Sequence, residues 1–130
     1  MSNLRTGTKT CFVVQKHEAK RAGLHYDFRF AEDGAAPSWA LPKGFPEDEK
    51  QIRLAIETEL HSIDYMSWEG EIEEGYGRGT VEIWASGDMI IYQRELDKVK
   101  FEILEGKLRG HWRLWRRDGN QWLLRKVKAK

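Results

Sequence analysis

At 130 residues and 15.3 kDa the chain has room for one conventional hydrophobic core and no second one. Lys and Arg number 22 against 21 Asp and Glu, a net charge of +1, which speaks against a chain that is basic throughout. The single cysteine, Cys11, excludes an internal disulfide framework, and no stretch approaches the ~18 apolar residues of a membrane span. A soluble, cytoplasmic, globular protein is the expectation.

Taken in chain order, residues 1–10 are polar and are expected to form a flexible N-terminal segment, with 11–130 as one domain. Period-two alternation then dominates. A first strand is predicted at 12–16 and a second at 24–30, where Leu24, Tyr26, Phe28 and Phe30 share one face and His25, Asp27 and Arg29 the other. Further strands are predicted at 38–41, 52–59, 80–84, 89–94, 99–103, 111–116 and 121–127. Turns are expected at Glu32-Asp33-Gly34, Pro42-Lys43-Gly44, Ser86-Gly87-Asp88, Glu105-Gly106 and Asp118-Gly119-Asn120. One short helical turn is predicted at 46–51, where Pro46 precedes three acids. Short strands at about ten-residue spacing imply an all-β, mainly antiparallel domain, a sandwich or a small closed or partly open β-barrel.

The near-neutral total hides segregation. Between Arg5 and Arg29 six bases face only Glu18 and Asp27, a net of +4. Between Pro46 and Glu74 ten acids face Lys50 and Arg53, a net of −8, and between Lys100 and Lys130 ten bases face three acids, a net of +7. Two basic surfaces and one acidic segment are therefore compatible with a total of +1. The run His111-Trp112-Arg113-Leu114-Trp115-Arg116-Arg117 interleaves aromatics with arginines, as strand-tracking nucleic-acid surfaces do, although core tryptophans with outward arginines give the same pattern. Gly75-Tyr76-Gly77-Arg78-Gly79 lacks the strand-then-helix setting of a dinucleotide fingerprint and is read as a turn or bulge.

The chemistry-bearing segment is His25-Tyr26-Asp27-Phe28-Arg29. Same-face residues on a strand lie ~6.6–7 Å apart, so His25 and Asp27 can reach one cation and Arg29 can fork onto an anion beside it. His17, before a short glycine-containing connection, is a candidate third ligand. Two histidines and a carboxylate suit manganese, non-haem iron and other divalent metals, while an ordinary wet strand face gives the same alternation.

Phe12-Val13-Val14-Gln15-Lys16-His17, Leu24-His25-Tyr26-Asp27-Phe28-Arg29 and Ser38-Trp39-Ala40-Leu41-Pro42-Lys43-Gly44 together resemble the 3′-phosphoesterase domain of bacterial ligase D, the end-joining DNA ligase. The resemblance continues through Arg53-Leu54-Ala55-Ile56-Glu57-Thr58-Glu59-Leu60-His61, Asp64-Tyr65, Glu69-Gly70 and Leu108-Arg109-Gly110-His111-Trp112, and spans about residues 11 to 126. It implies a small β-barrel whose pocket holds Mn2+ or another divalent transition metal. The implied activity removes a 3′-terminal ribonucleoside and then the 3′-phosphate from DNA or RNA-tailed DNA ends, leaving a 3′-hydroxyl. By motif, His17, His25 and Asp27 resemble the metal ligands, and Arg29 and His61 the phosphate-binding groups. Arg53, Glu59, Tyr65 and Lys43 match further catalytic positions. The implied partners are a DNA ligase, a polymerase and Ku-type end-joining proteins, with no membrane and a nucleoid location when bound to DNA. The length suggests a stand-alone member. With sixteen residues before His17, the resemblance bears more on phosphate removal than on the nucleoside step.

A protonated His61 is expected either to partner Arg29 at the phosphate or to protonate the leaving oxygen as a general acid, with Glu59 supporting its charge. Residues 53 to 61 as one extended strand would span ~26 Å, so Arg53 and His61 share a phosphate only if the chain bends between them. Two other classes stay open. One is a non-haem Fe(II) β-barrel oxygenase, which uses a similar His-x-Asp…His set. The other is a non-catalytic nucleic-acid-binding module using the basic C-terminal segment.

Overall fold

In a computed structural model, which describes residues 7–75 and 78–128, the alternating segments become strands. They are β1 (Thr8–Ala19), β2 (Gly23–Phe30), β3 (Ala35–Ala36), β4 (Ser38–Leu41), β5 (Ile52–Glu57), β6 (His61–Ser62), β7 (Gly70–Ile72), β8 (Gly79–Glu95), β9 (Lys98–Ile103), β10 (Gly110–Asp118) and β11 (Gln121–Val127). Neighbours run β1-β2-β4-β5-β11-β10-β9-β8, and β1 pairs with β8 to close eight antiparallel strands into a barrel. Strand β7 adds to the N-terminal end of β8, and β3 and β6 form a separate two-stranded ribbon. Closure removes the exposed edges that an open sheet of this size would present. The strand begins at Thr8, inside the segment 1–10.

The interior is filled, not hollow. Phe12 and Val14 of β1, Phe28 and Phe30 of β2, Trp39 and Leu41 of β4, and Phe101, Trp112, Leu114, Trp122 and Leu124 form one core. Phe28 stands at its centre, with ring centroids 5.3 Å from Phe101, 5.6 Å from Phe45 and 6.0 Å from Phe30. Since side chains alternate along a strand, Val13, Gln15 and His17 of β1 and Asp27 and Arg29 of β2 lie on the outer face of the same two strands. A second, small core of Val13, Ala36 and Met66 seals that outer face beneath the segment carrying β3, β6 and the turn that follows.

Three local expectations are corrected. The helical turn is a 3₁₀ turn at Ile63–Ser67, not at 46–51. At the latter site the Asp48 side chain accepts the Lys50 N–H and Gln51 Oε1 accepts the Glu47 N–H, which satisfies the backbone without a helix. The Ser86-Gly87-Asp88 turn does not form. Continuous pairing of β8 with β1, Gly87 opposite Phe12, outweighs the local turn chemistry. The strand 52–59 ends at Glu57, where the Thr58 N–H turns to the Ser38 carbonyl and the chain leaves the barrel wall before His61. The chain therefore bends between Arg53 and His61. The Gly75–Gly79 segment lies partly outside the described residues, at Tyr76 and Gly77. At its end Gly79 is required, because a Cβ there would collide with the Glu18 carbonyl oxygen.

Candidate active site

The β1–β2 hairpin builds the centre. Gly23 takes φ +81° at the turn, and the register that follows sets His17 directly opposite His25 and Gln15 opposite Asp27. Two residues remote from each other in the sequence pattern are thereby brought onto one patch, their rings 4.7 Å apart. Asp27 Oδ2 lies 3.3 Å from His25 Nε2, 3.7 Å from His17 Nδ1 and 3.6 Å from Arg29 Nη2. Burial alone would push the Asp27 carboxyl up, but the two histidines and the Arg29 charge overcome it and hold the group well below the usual carboxylate range. The site therefore keeps a permanent carboxylate.

His17, His25 and Asp27 each offer one ligand atom, all within 4.8 Å of one another. Two donors bound at ~2.2 Å to one ion stand ~3–4.4 Å apart, so the Asp27 separations fit a divalent cation without rearranging the strands. His25 also places Nδ1 3.3 Å from the Gly23 carbonyl. Donation of the Nδ1 proton there leaves the Nε2 lone pair for a cation.

Arg29 is fixed beside this cluster. It is 4% exposed, donates from Nε to Gln15 Oε1 at 2.6 Å and from Nη1 to Ser38 Oγ at 2.9 Å. Ser38 Oγ in turn donates to the Ala36 carbonyl. Gln15 Nε2 donates to the carbonyls of Tyr65 and Trp68, which pins the 3₁₀ turn over the patch. Burial lowers the Arg29 pKa while Asp27 and Tyr65 raise it. The guanidinium nonetheless remains charged, since arginine starts from a value far above neutrality. Gln15 and Ser38 thus hold Arg29 in place, although neither is among the expected site residues. The available signal was parity: Gln15 shares the outward face of β1 with His17.

The covering segment supplies a short stack of rings. His61 lies parallel to Tyr65 at 5.0 Å, Tyr65 parallel to Trp68 at 5.5 Å, and the Arg29 guanidinium sits 4.7 Å from the Tyr65 ring centre. Burial and Arg29 push the His61 pKa below its ordinary 6.5, against the smaller opposing pull of Glu59 and Asp27. In the free protein this balance favours the neutral imidazole of His61 over the imidazolium. Burial raises the Tyr65 pKa, with Arg29 opposing and Asp27 assisting, so the phenol keeps its proton.

The remaining candidates stand apart. Glu59 is exposed on the connection from β5 to β6 and acts on His61 only through its charge. Arg53 shares the parity of the buried Ala55 on β5, pairs in register with Leu124 of the core and donates to Gln51 Oε1. Its Nε is buried without a hydrogen-bond partner. Lys43 lines a depression on the inward side of β2, with Tyr26 and Trp84. Neither of these two bases is brought against Asp27.

The family profile of the DNA ligase D 3′-phosphoesterase domain matches residues 15–116, a stretch that holds every site residue named above. The chain belongs to that family. Within it, the chain is 39% identical over 128 residues to the multifunctional non-homologous end joining DNA repair protein LigD of Mycobacterium tuberculosis, covering 95% of this chain and 17% of that protein. The LigD protein of Pseudomonas aeruginosa is 42% identical over 129 residues, covering 92% of this chain and 15% of the relative. That of Mycolicibacterium smegmatis is 37% identical over 139 residues. The ligase D phosphoesterase fold of this chain therefore corresponds to less than a fifth of the length of these relatives. Among the described residues no helix is long and apolar enough to cross a membrane.

Proposed function

We propose that residues 11–130 form a metal-dependent 3′-end-healing phosphoesterase domain that removes a 3′-phosphate from DNA or RNA-tailed DNA ends. Removal leaves a 3′-hydroxyl for ligation in end-joining repair. The observation that carries the reading is the buried Arg29 fork, fixed by Gln15 and Ser38, 3.6 Å from the carboxylate of a His17–His25–Asp27 cluster. A cation-ready triad beside a fixed guanidinium is what phosphoryl transfer needs.

His17, His25 and Asp27 would hold the metal, with Mn2+ favoured by family membership. When bound, the metal would draw charge from a non-bridging phosphate oxygen and lower the pKa of a water. Arg29 binds the phosphate by charge-assisted hydrogen bonds and does not reorganise as charge develops. Water attacks phosphorus, the P–O3′ bond breaks, and the proton taken from the water is returned to O3′, so that inorganic phosphate and a 3′-hydroxyl result. His61 enters as a neutral imidazole, suited to accept the proton of the attacking water at Nε2 or Nδ1. The Tyr65 phenol donates a hydrogen bond to the phosphate and closes the site from above. Removal of a 3′-terminal ribonucleoside is proposed for the same centre. The physiological setting would include a ligase, a polymerase and Ku-type proteins at the DNA end.

Time courses on a 3′-phosphorylated primer and on a primer ending in one ribonucleotide, with manganese present, test the reading by measuring phosphate and nucleoside release separately. Release of phosphate by the parent and at least a hundredfold loss in Asp27→Ala are expected. Full activity in Asp27→Ala would overturn the metal assignment, and binding of the 3′-phosphorylated primer without release of phosphate would favour a non-catalytic nucleic-acid module.

A further inference from the structure

The basic C-terminal segment takes no part in the metal centre. Part of it meets the mouth of the barrel instead. A depression of about 420 Å³ opens there, lined by Tyr26, Trp84 and Trp112 and by Lys43, Lys107 and Lys126. These residues come from β2, β8, β10, β11 and the two connections 42–47 and 104–109, so the lining encircles the barrel end. Tyr26 lies between His25 and Asp27 in sequence and points to the other side of β2. The mouth and the metal centre are therefore the two faces of one strand at one level of the barrel.

The local geometry is specific. In the pairing of β1 with β8 the register slips between Val14 and Gln15, where Val14 faces Ala85 and Gln15 faces Ile83, leaving Trp84 as the extra residue. This bulge lets Ile83 remain on the outer face while Trp84 turns inward, edge-on to Tyr26 at 5.1 Å. Lys107 Nζ then sits 4.2 Å from the Trp84 ring centre, and Lys126 Nζ 5.7 Å from that of Trp112. Trp112 is buried and forms the floor, whereas Trp84 is half-buried with the Lys107 ammonium over its ring, a position a stacking base would take as the ammonium moves to a phosphate. Three ammonium groups face one lining carboxylate, Glu47. Cations grouped around an accessible indole match a ligand that is anionic and aromatic at once.

We propose that the barrel mouth is a second nucleic-acid contact, holding a nucleotide of a single-stranded segment with its base on Trp84 and its phosphates on Lys43, Lys107 and Lys126. This rests on the phosphoesterase reading and deepens it. The strand whose 3′ end lies at Asp27 crosses the β2 rim, and the mouth takes a nucleotide further from the end. Stacking on Trp84 is sequence-tolerant, which suits an enzyme that must accept any broken end.

The test is fluorescence anisotropy of a labelled oligothymidylate of about twelve nucleotides with a plain 3′-hydroxyl, titrated with the full chain in manganese across a salt series. The double variant Lys107→Ala/Lys126→Ala should bind about tenfold more weakly, and its log-affinity slope against log salt should shrink by about 1.4, at ~0.7 per lysine. Trp84→Ala should lose about fivefold or more, and Trp84→Phe, which keeps a ring, should recover most of it. Lys98→Ala/Lys100→Ala, on the wall formed by β9, should keep its affinity within about twofold. An equal loss in that control, or an unchanged slope in Lys107→Ala/Lys126→Ala, would overturn the proposal. So would equal affinity for inorganic phosphate or an acidic peptide. Phosphate release from a 3′-phosphorylated dinucleotide, too short to reach the mouth, is read in parallel. Failure of that assay in the parent chain counts against the phosphoesterase reading, whereas normal release with unaltered oligonucleotide binding in the variants counts against the mouth alone.

Discussion

The Arg29 guanidinium on β2 donates to Gln15 Oε1 on β1 at 2.6 Å, and the same glutamine's amide nitrogen holds the Tyr65 and Trp68 carbonyls above it. One fully buried amide thus positions the Arg29 guanidinium and the segment that covers it. In Gln15→Met both functions are lost at similar volume. The cost expected is about 1.5–3 kcal/mol for the charged hydrogen bond and its stranded partners, read by urea unfolding. Phosphate release should fall about tenfold or more through kcat, with circular dichroism unchanged. A variant with parental kcat would show that Arg29 needs no such support.

Metal should stabilise the fold through the triad. A ligand present at about a hundred times its Kd adds ~2.7 kcal/mol to a state that alone binds it. Manganese should therefore raise Tm, a chelator should remove the gain, and Asp27→Asn should abolish the response to both. An undiminished manganese shift in Asp27→Asn would place the ion elsewhere.

The His61 environment fixes a pH dependence whose sign follows from its lowered pKa. In the unfolded chain the imidazole titrates near 6.5, while in the folded protein burial and Arg29 keep it neutral to lower pH. Its contribution to stability is fully present above about 6.5 and is lost as pH falls toward the folded value, because the unfolded state takes up the proton first. An NMR titration of the His61 ring should give a midpoint below 6.5. The midpoint should rise in Arg29→Gln and fall further in Glu59→Gln. A midpoint above 6.5 in the parent chain would restore the imidazolium as the resting form.

Phe28 carries the largest share of ring packing at the centre of the barrel. Phe28→Ala should cost about 3–5 kcal/mol, measured by chemical denaturation. Since Asp27 and Arg29 flank it, loss of manganese binding in the folded fraction should accompany the change. A cost below about 1 kcal/mol would mean that the core does not set the site.

Much of the fold is legible from alternation alone. The strands at 24–30, 38–41, 99–103, 111–116 and 121–127 appear within a few residues of their expected bounds, because one buried face leaves little freedom of register. Residues 46–51 and 86–88 were misleading for a shared reason. A proline before acids and a glycine between polar residues are local signals, and side-chain hydrogen bonds at Asp48 and Gln51 and the long β1–β8 ladder override them.

The sequence by itself determined that His25, Asp27 and Arg29 point the same way, because period-two geometry and the opposite apolar face leave no other arrangement. It also determined the segregation of charge behind a total of +1. Only the tertiary structure decided that this polar face is the outside of a filled barrel and not a pocket within it. Only the hairpin register brought His17 to His25, and only the departure of the chain after Glu57 brought His61 and Tyr65 over Arg29. Alternation says which residues share a face; which face is covered, and by what, depends on pairings between residues far apart in the chain.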